Sequence, residues 1–317
     1  MAPVPQRLVA DIGGTNTRFA LAGADGRLHA PLTLATRRFA SVTDAARAYL
    51  EATGARPREA CIAVAGPVSG DAVRLTNHRW EFSIAALREE LALAQLRVIN
   101  DFEAIALALP ALAADELLQI GGGAPVRGRP MAVLGPGTGL GVAQLIATRG
   151  SFQPVSTEGG HASIGPCDEA ELQLFATLMR NGQHLCREAL LSGPGIERIY
   201  WALCLNGGGE YHGYSAAEIQ AHAVAGSDAT CRAALEHFCA FLGTAAGDQA
   251  LCCGAQGGVF IAGGIVPRFT EFLRYSRFRA RFEAKGPMRD YVSAIPVYVI
   301  TREHPGMLGA ARADLDA

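Results

Sequence analysis

The sequence predicts an α/β protein with mixed sheets, on three observations. Strand-like and helix-like segments alternate along the whole chain. A pattern of apolar strand, glycine turn and apolar strand opens the chain at residues 7–23 and returns at residues 131–147. A further apolar strand, in "GGVFIAGGIVP", runs into another double-glycine turn at residues 262–264. With 317 residues, half of them hydrophobic, the chain can bury a large core and is expected to form two domains rather than one.

Each element has a local reason. "RLVADIGGTNTRFALAG" reads as strand, tight glycine turn, strand. "ASVTDAARAYLEATG" has helical spacing, with Gly54 as its stop. "EACIAVAGPVSGDAVRLTN" reads as a strand, a Gly-Pro turn and a second extended stretch, and "SIAALREELAL" as a helix capped by Ser83. "LRVIN" is a short strand, followed by a helix, "EAIALAL", that ends at Pro110. "IGGGAPVRGRP" is rich in Gly and Pro without apolar period, so a domain boundary is expected between Pro110 and Pro130. Downstream, "EAELQLFATLMR", "AAEIQAHAVAG" and "ATCRAALEHFCAFLGTAAGDQALCC" are helical by spacing, "IPVYVI" is a last strand and "HPGMLGAARADL" a closing helix.

Composition excludes several classes. With 28 basic and 30 acidic residues, nothing marks a nucleic-acid binder. No apolar run approaches the ~18 residues of a membrane helix, and no secretory signal is visible, so a cytoplasmic protein is expected. The eight cysteines include no C-x-x-C and read as reduced thiols, mostly small core residues. Lys285 is the single lysine, and its context fits neither a Walker A loop nor a protein-kinase strand. A phosphate-handling role would therefore fall to backbone amides, arginines and metal.

Two kinds of feature can carry chemistry. In "DIGGT", glycines without Cβ let backbone N–H groups approach an anion, Thr15 adds a donor, and Asp11 could hold Mg²⁺ directly or through water. A plain β-hairpin is the competing reading. "GPGTGLG" is a second such turn, but a strand follows it, so a dinucleotide-binding fingerprint fits poorly. The other feature is a set of acids and a histidine. Asn100-Asp101 ends an apolar strand, where it can serve as a helix cap or present a carboxylate to a ligand. Glu158 and His161 flank two glycines in "EGGH", either as sugar-type hydrogen-bonding partners or as a solvated loop. Glu188, four residues before Ser192, reads on its own as a solvated helical charge, with His184 unremarkable on the same helix. Trp80 and Phe82 read as core.

"LVADIGGTNTRFAL", "GPVSGDAVRLTNHRWEFS", "VINDFEAIA", "GTGLGVA", "EGGH", "LSGPG" and "GGVFIAGGIVPRF" resemble, in the same order, the bacterial glucokinases of the hexokinase/actin-like ATPase superfamily. The resemblance runs from residue 8 to about residue 310. It implies a two-domain actin-like ATPase (ribonuclease H-like) fold, with mixed sheets flanked by helices and a cleft between the domains. It implies a small domain of residues 1–110 plus about 300–317 and a large domain of residues 111–299. It further implies ATP-dependent phosphorylation of glucose, with Asp101 as catalytic base and Asn100, Asp101, Glu158, His161 and Glu188 on the sugar. ATP would lie on Ala10, Asp11, Ile12, Gly13, Gly14, Thr15, Gly137, Thr138, Gly263 and Gly264, with Mg²⁺ near Asp11, and the chain would form a homodimer. Pro136 stands where the family often has a small residue and removes one backbone donor. The cysteine-rich zinc motif of the related ROK kinases is missing, since only Cys167 follows "EGGHASIGP", so no structural zinc is expected.

Other readings stay open at this stage. The same chemistry could serve fructose, mannose or an N-acetylated sugar. A sugar-responsive regulator would need an added helix-turn-helix, for which the hairpin starting by residue 8 leaves no room. A non-sugar actin-like ATPase would not need Glu158, His161 and Glu188 together.

Overall fold

In a computed structural model, which describes residues 7–76, 78–180 and 184–316, the chain forms two compact units. One comprises Met1–Leu112, Phe152–Ser156 and Arg302–Ala317; the other comprises Ala113–Ser151 and Thr157–Thr301. Asn77 of the "TNHRW" motif lies outside the described residues.

The first unit is built on a five-stranded sheet. Its strands are β1 (Arg7–Ile12), β2 (Asn16–Ala22), β3 (Leu28–Ala35), β4 (Glu59–Val64) and, after the short pair β5 (Ala72–Arg74) and β6 (Glu81–Ser83), β7 (Gln95–Asn100). They lie in the order β3-β2-β1-β4-β7, antiparallel across the hairpin β1–β2 and parallel for β1, β4 and β7. Helices α1 (Val42–Thr53) and α2 (Ile84–Glu90) cover one face, and α3 (Asp101–Ala108) covers the other together with the closing helix of the chain, Pro305–Arg312. Alternation along the strands explains both layers. Leu8, Ala10 and Ile12 pack toward α1, whereas Val9, Cys61, Ala63 and Ile99 pack toward α3. A sheet buried on both faces accounts for unbroken apolar strands such as "CIAV".

Caps follow the sequence. Ser41 Oγ accepts the Asp44 amide and Gly54 ends α1 in the left-handed region, while Ser83 Oγ accepts the Ala86 amide. The helix expected to end at Pro110 stops at Ala108 and tightens into a 3₁₀ turn over Leu109–Ala111. Proline's missing N–H fits the start of that turn. Trp80 is buried, and Phe82 packs on the same core.

A second sheet is six-stranded, in the order β11-β10-β9-β12-β13-β8. Its strands are β8 (Leu117–Ile120), β9 (Met131–Pro136), β10 (Leu140–Thr148), β11 (Ser151–Thr157), β12 (Gly258–Ile261) and β13 (Val297–Ile300). Around it stand α4 (Glu169–Leu178), α5 (Arg187–Leu190), α6 (Gly193–Leu203), α7 (Ala216–Ala225), the 25-residue α8 (Ala229–Cys253), α9 (Thr270–Tyr275), α10 (Phe278–Glu283) and α11 (Arg289–Ser293); the closing helix becomes α12 (Pro305–Arg312). Helix α8 is apolar nearly all round, because α6, α7, α10 and the sheet enclose it. Of the eight cysteines, Cys61, Cys204, Cys231 and Cys239 are buried, Cys186 and Cys253 half-buried, and Cys167 and Cys252 exposed, so the core reading holds for half of them. No described helix is long and apolar enough to cross a membrane.

Candidate active site

Strand register assembles the first cluster. Ile12, Val64 and Asn100 pair across β1, β4 and β7, so the glycine turn after β1 and the Asn100-Asp101 pair leave the same carboxyl-terminal edge of the parallel strands. Ligands of open α/β sheets bind at this edge. Asp11 stands two residues after Val9 and therefore lies on the same sheet face, the one that α3 and α12 cover.

Asn100 is the cap of α3. Its Oδ1 accepts the amides of Phe102 (2.9 Å) and Glu103 (3.3 Å), and its Nδ2 donates to the Gly66 carbonyl at 3.0 Å. Asp101 is the first helical residue, its Oδ1 accepting the Phe102 amide at 2.9 Å. The two readings of the pair thus overlap: Asn100 is the cap, and Asp101 shares the Phe102 amide through Oδ1 while its Oδ2 stays outside the cap. Burial, and next the neighbouring carboxylate of Asp11, push the Asp101 carboxyl up to about 7. Burial also raises Asp11, against the lowering field of Arg18 and then His304.

Arg18 and His304 are neighbours of Asp11 that no motif marks. Arg18 is the direct cross-strand partner of Asp11 and its guanidinium stands 3.7 Å from the carboxylate, so the register of the hairpin could have found it. His304 precedes α12 with φ of 53°, a backbone region that non-glycine residues seldom occupy. No local sequence signal marks it.

The glycine turn itself is open. Thr15 is exposed, and the turn closes on a Gly13 N–H to Asn16 carbonyl bond of 3.0 Å. Thr36, fully buried, donates from Oγ to the Gly13 carbonyl at 2.9 Å and from its amide to the Thr15 carbonyl at 3.0 Å.

The second unit gathers the remaining candidates around the hairpin β9–β10. Gly137 closes its turn by donating to the Gly139 carbonyl at 2.8 Å, and Thr138 at the tip is exposed. Three segments lie against this hairpin. Gly263 packs so closely that a Cβ would stand 2.3 Å from the Pro136 carbonyl oxygen. The "EGGH" loop forms a 3₁₀ turn over Gly159–His161, in which a Cβ at Gly160 would stand 2.2 Å from the Leu140 carbonyl oxygen. Both glycines serve close backbone approach, and Gly263 also takes a φ of 86°. Glu158 and His161 are exposed at the ends of the turn, and no hydrogen bond or ion pair engages either side chain among the described residues. The third segment is α5, where Glu188 Oε2 accepts the Leu140 amide at 2.8 Å. Glu188 is therefore no solvated surface charge. His184 stands outside α5, contrary to expectation, because the helix is a single turn beginning at Arg187; its Nε2 lies 3.4 Å from the His161 carbonyl.

Helix α5 is itself pinned. Its Arg187 lies 3.5 Å from Asp248 of α8, and the Lys285 ammonium donates to Asp248 at 2.6 Å and to the Thr244 carbonyl at 3.0 Å. The chain's single lysine, with 9% of its side chain exposed, is a strut and no phosphate ligand.

Among the described residues no group of three or more His, Cys, Asp or Glu could hold an ion. Mg²⁺ that rides on substrate phosphates needs one or two carboxylates and keeps its waters. Asp11, destabilised as an anion by burial and adjoining a second carboxylate, fits that role.

Comparison with known proteins gives the family. The family model described as Glucokinase matches residues 8–316. A glucokinase of Chromobacterium violaceum is 48% identical over 306 residues, covering 96% of this chain and 88% of the relative. The crystal structure of glucokinase from an Antarctic psychrotroph superimposes with a TM-score of 0.89 at 40% identity, covering 97% of this chain and 98% of the other. A glucose complex of Balamuthia mandrillaris glucokinase has a TM-score of 0.80 at 24% identity, covering 98% and 93%, and supports the shared fold. The chain has the two-domain actin-like ATPase fold of these sugar kinases and belongs to the glucokinase family.

Proposed function

We propose that Asp101 is the general base in phosphoryl transfer from ATP to the 6-hydroxyl of glucose. The activity is that of the family, ATP-dependent phosphorylation of glucose. The observation that carries the role of Asp101 is a carboxyl at the sheet's carboxyl-terminal edge, raised to about 7 by burial and by Asp11. A base with a proton affinity near working pH is well matched to a hydroxyl proton. As oxygen O6 bonds to the γ-phosphorus and the bond to ADP breaks, the O6 proton passes to Asp101.

The other roles follow from hydrogen-bonding capacity. Asn100, Glu158, His161 and Glu188 hold the sugar hydroxyls. The turn formed by Ala10, Asp11, Ile12, Gly13, Gly14 and Thr15, with Gly137, Thr138, Gly263 and Gly264, receives the nucleotide phosphates, through the amides not spent in the sheet or the turn and through the Thr15 and Thr138 hydroxyls. Mg²⁺, held by Asp11 through water, would offset phosphate charge when bound. Residues 1–110 with about 300–317 then form the small domain that carries the base, and residues 111–299 the large domain that carries Glu158, His161 and Glu188. A cytoplasmic homodimer is the proposed state, which sedimentation would check.

The second reading is the same chemistry on another hexose, since stereochemistry at one hydroxyl turns on small displacements. A coupled ADP-release assay over a hexose panel, with and without Mg²⁺, tests both. The expected outcome is highest kcat/KM with glucose and loss of turnover on chelation. ADP release indifferent to any added sugar would overturn the proposal.

A further inference from the structure

We infer that Glu188 is a positioning residue for the second glycine hairpin, through which the sugar side and the nucleotide side of the reaction are coupled. The inference rests on the reading of Glu188 as a sugar contact and of the 137–140 turn as a phosphate contact, and extends both.

Glu188 spends one oxygen on the hairpin. Its Oε2 accepts the Leu140 amide at 2.8 Å, while Oε1 makes no hydrogen bond among the described residues. A carboxylate has acceptor capacity for both tasks at once. Gly139 is shaped for this contact: a Cβ there would stand 2.5 Å from Oε2 and 3.2 Å from Cδ of Glu188. The same segment grips the turn again where the Gly193 amide, at the start of α6, donates to the Gly137 carbonyl at 2.9 Å. Ser192 Oγ donates to the Glu188 carbonyl at 2.8 Å, fixing the stretch between the two grips. The Leu140 carbonyl faces Gly160 of the "EGGH" loop. Leu140 is thus held by Glu188 at its amide and abutted by the sugar loop at its carbonyl. A sugar that draws on Oε1 orients the whole carboxylate, and with it the amide that sets the phosphate turn. Free energy shared in this way acts in both directions.

Three variants separate this from a purely structural or purely sugar-binding role. Gly139→Ala leaves Glu188 chemically intact but forces its carboxylate away, and the clash is with the far end of a flexible side chain, so the fold can absorb it. A charge-assisted bond of this kind carries about tenfold or more in affinity. We expect Gly139→Ala and Glu188→Ala each to raise the ADP dissociation constant, measured by calorimetry without sugar, by about tenfold, and to raise KM for glucose. Glu188→Gln, whose amide oxygen can still accept from Leu140, should keep ADP binding within about threefold while weakening glucose. The double variant Gly139→Ala with Glu188→Ala should bind ADP no worse than Glu188→Ala alone. A folded Glu188→Ala protein with ADP affinity unchanged and glucose KM raised would overturn the coupling while leaving the sugar assignment intact. Unchanged glucose KM with weakened ADP would instead remove Glu188 from the sugar, ending the coupling together with that assignment.

Discussion

The two glycine hairpins share a plan but are braced in different ways. The first, between β1 and β2, is held by its own neighbourhood: Thr36, just past β3, bonds the Gly13 and Thr15 carbonyls, and its hydroxyl lies 3.0 Å from that of Thr17. The second, between β9 and β10, is held by segments remote in sequence: Gly263 at Pro136, Gly160 and Glu188 at Leu140, and Gly193 at Gly137. The first turn is therefore self-contained, and the second, proposed with it to hold phosphate, takes its shape from the residues proposed for sugar. The catalytic candidate, Asp101, belongs with the first hairpin through Asp11, whereas the candidates Glu158, His161 and Glu188 gather at the second.

The comparison can be broken at its strongest point with Asp101→Ala. General-base removal should lower kcat by about 10³-fold with a far smaller change in glucose KM, read by steady-state kinetics; near-normal turnover by a folded variant would sink the assignment. The wild-type pH profile gives the same test. Only the ionised carboxylate accepts a proton, and its folded value is raised to about 7, so log kcat/KM should fall with unit slope below pH 7 and level off above it.

A matched pair of glycine substitutions sharpens the contrast in bracing. Gly263→Ala meets the Pro136 carbonyl and a φ of 86°, and should lower Tm by about 3–6 °C. Gly137→Ala on the same hairpin, with the nearest atom 4.0 Å away, should stay within about 2 °C of wild type by calorimetry. Equal losses would mean that the remote clamp does not hold the turn.

The smallest effect is expected at the first hairpin. Thr36→Val strands the Gly13 carbonyl and the Thr17 hydroxyl, which costs about 1–2 kcal/mol. KM for ATP should rise about threefold and KM for glucose should not move, since this brace touches no proposed sugar residue. A parallel rise in both constants would erase the distinction between the hairpins.

Much of this was legible before any coordinates. Period-two apolar runs and glycine turns locate β1, β2, β9 and β10, and Ser41, Ser83 and Gly54 mark helix ends, because these are local preferences of the chain. Motif order alone was enough to suggest the family that the comparisons then established. Less legible were the uses of particular side chains. Without the family resemblance Glu188 reads as a solvated charge, the spacing puts His184 on a helix it does not join, and no local pattern marks Arg18 and His304 beside Asp11.

What the sequence by itself determined is where strands, turns and caps form and which residue types stand ready at strand ends, since each depends on neighbours within a few positions. What only the tertiary structure decided is which amide a carboxylate accepts, which glycine must lack a Cβ, and how far burial and Asp11 raise the Asp101 carboxyl. Those outcomes come from groups tens or hundreds of residues apart, and from loss of water that no single segment imposes on itself.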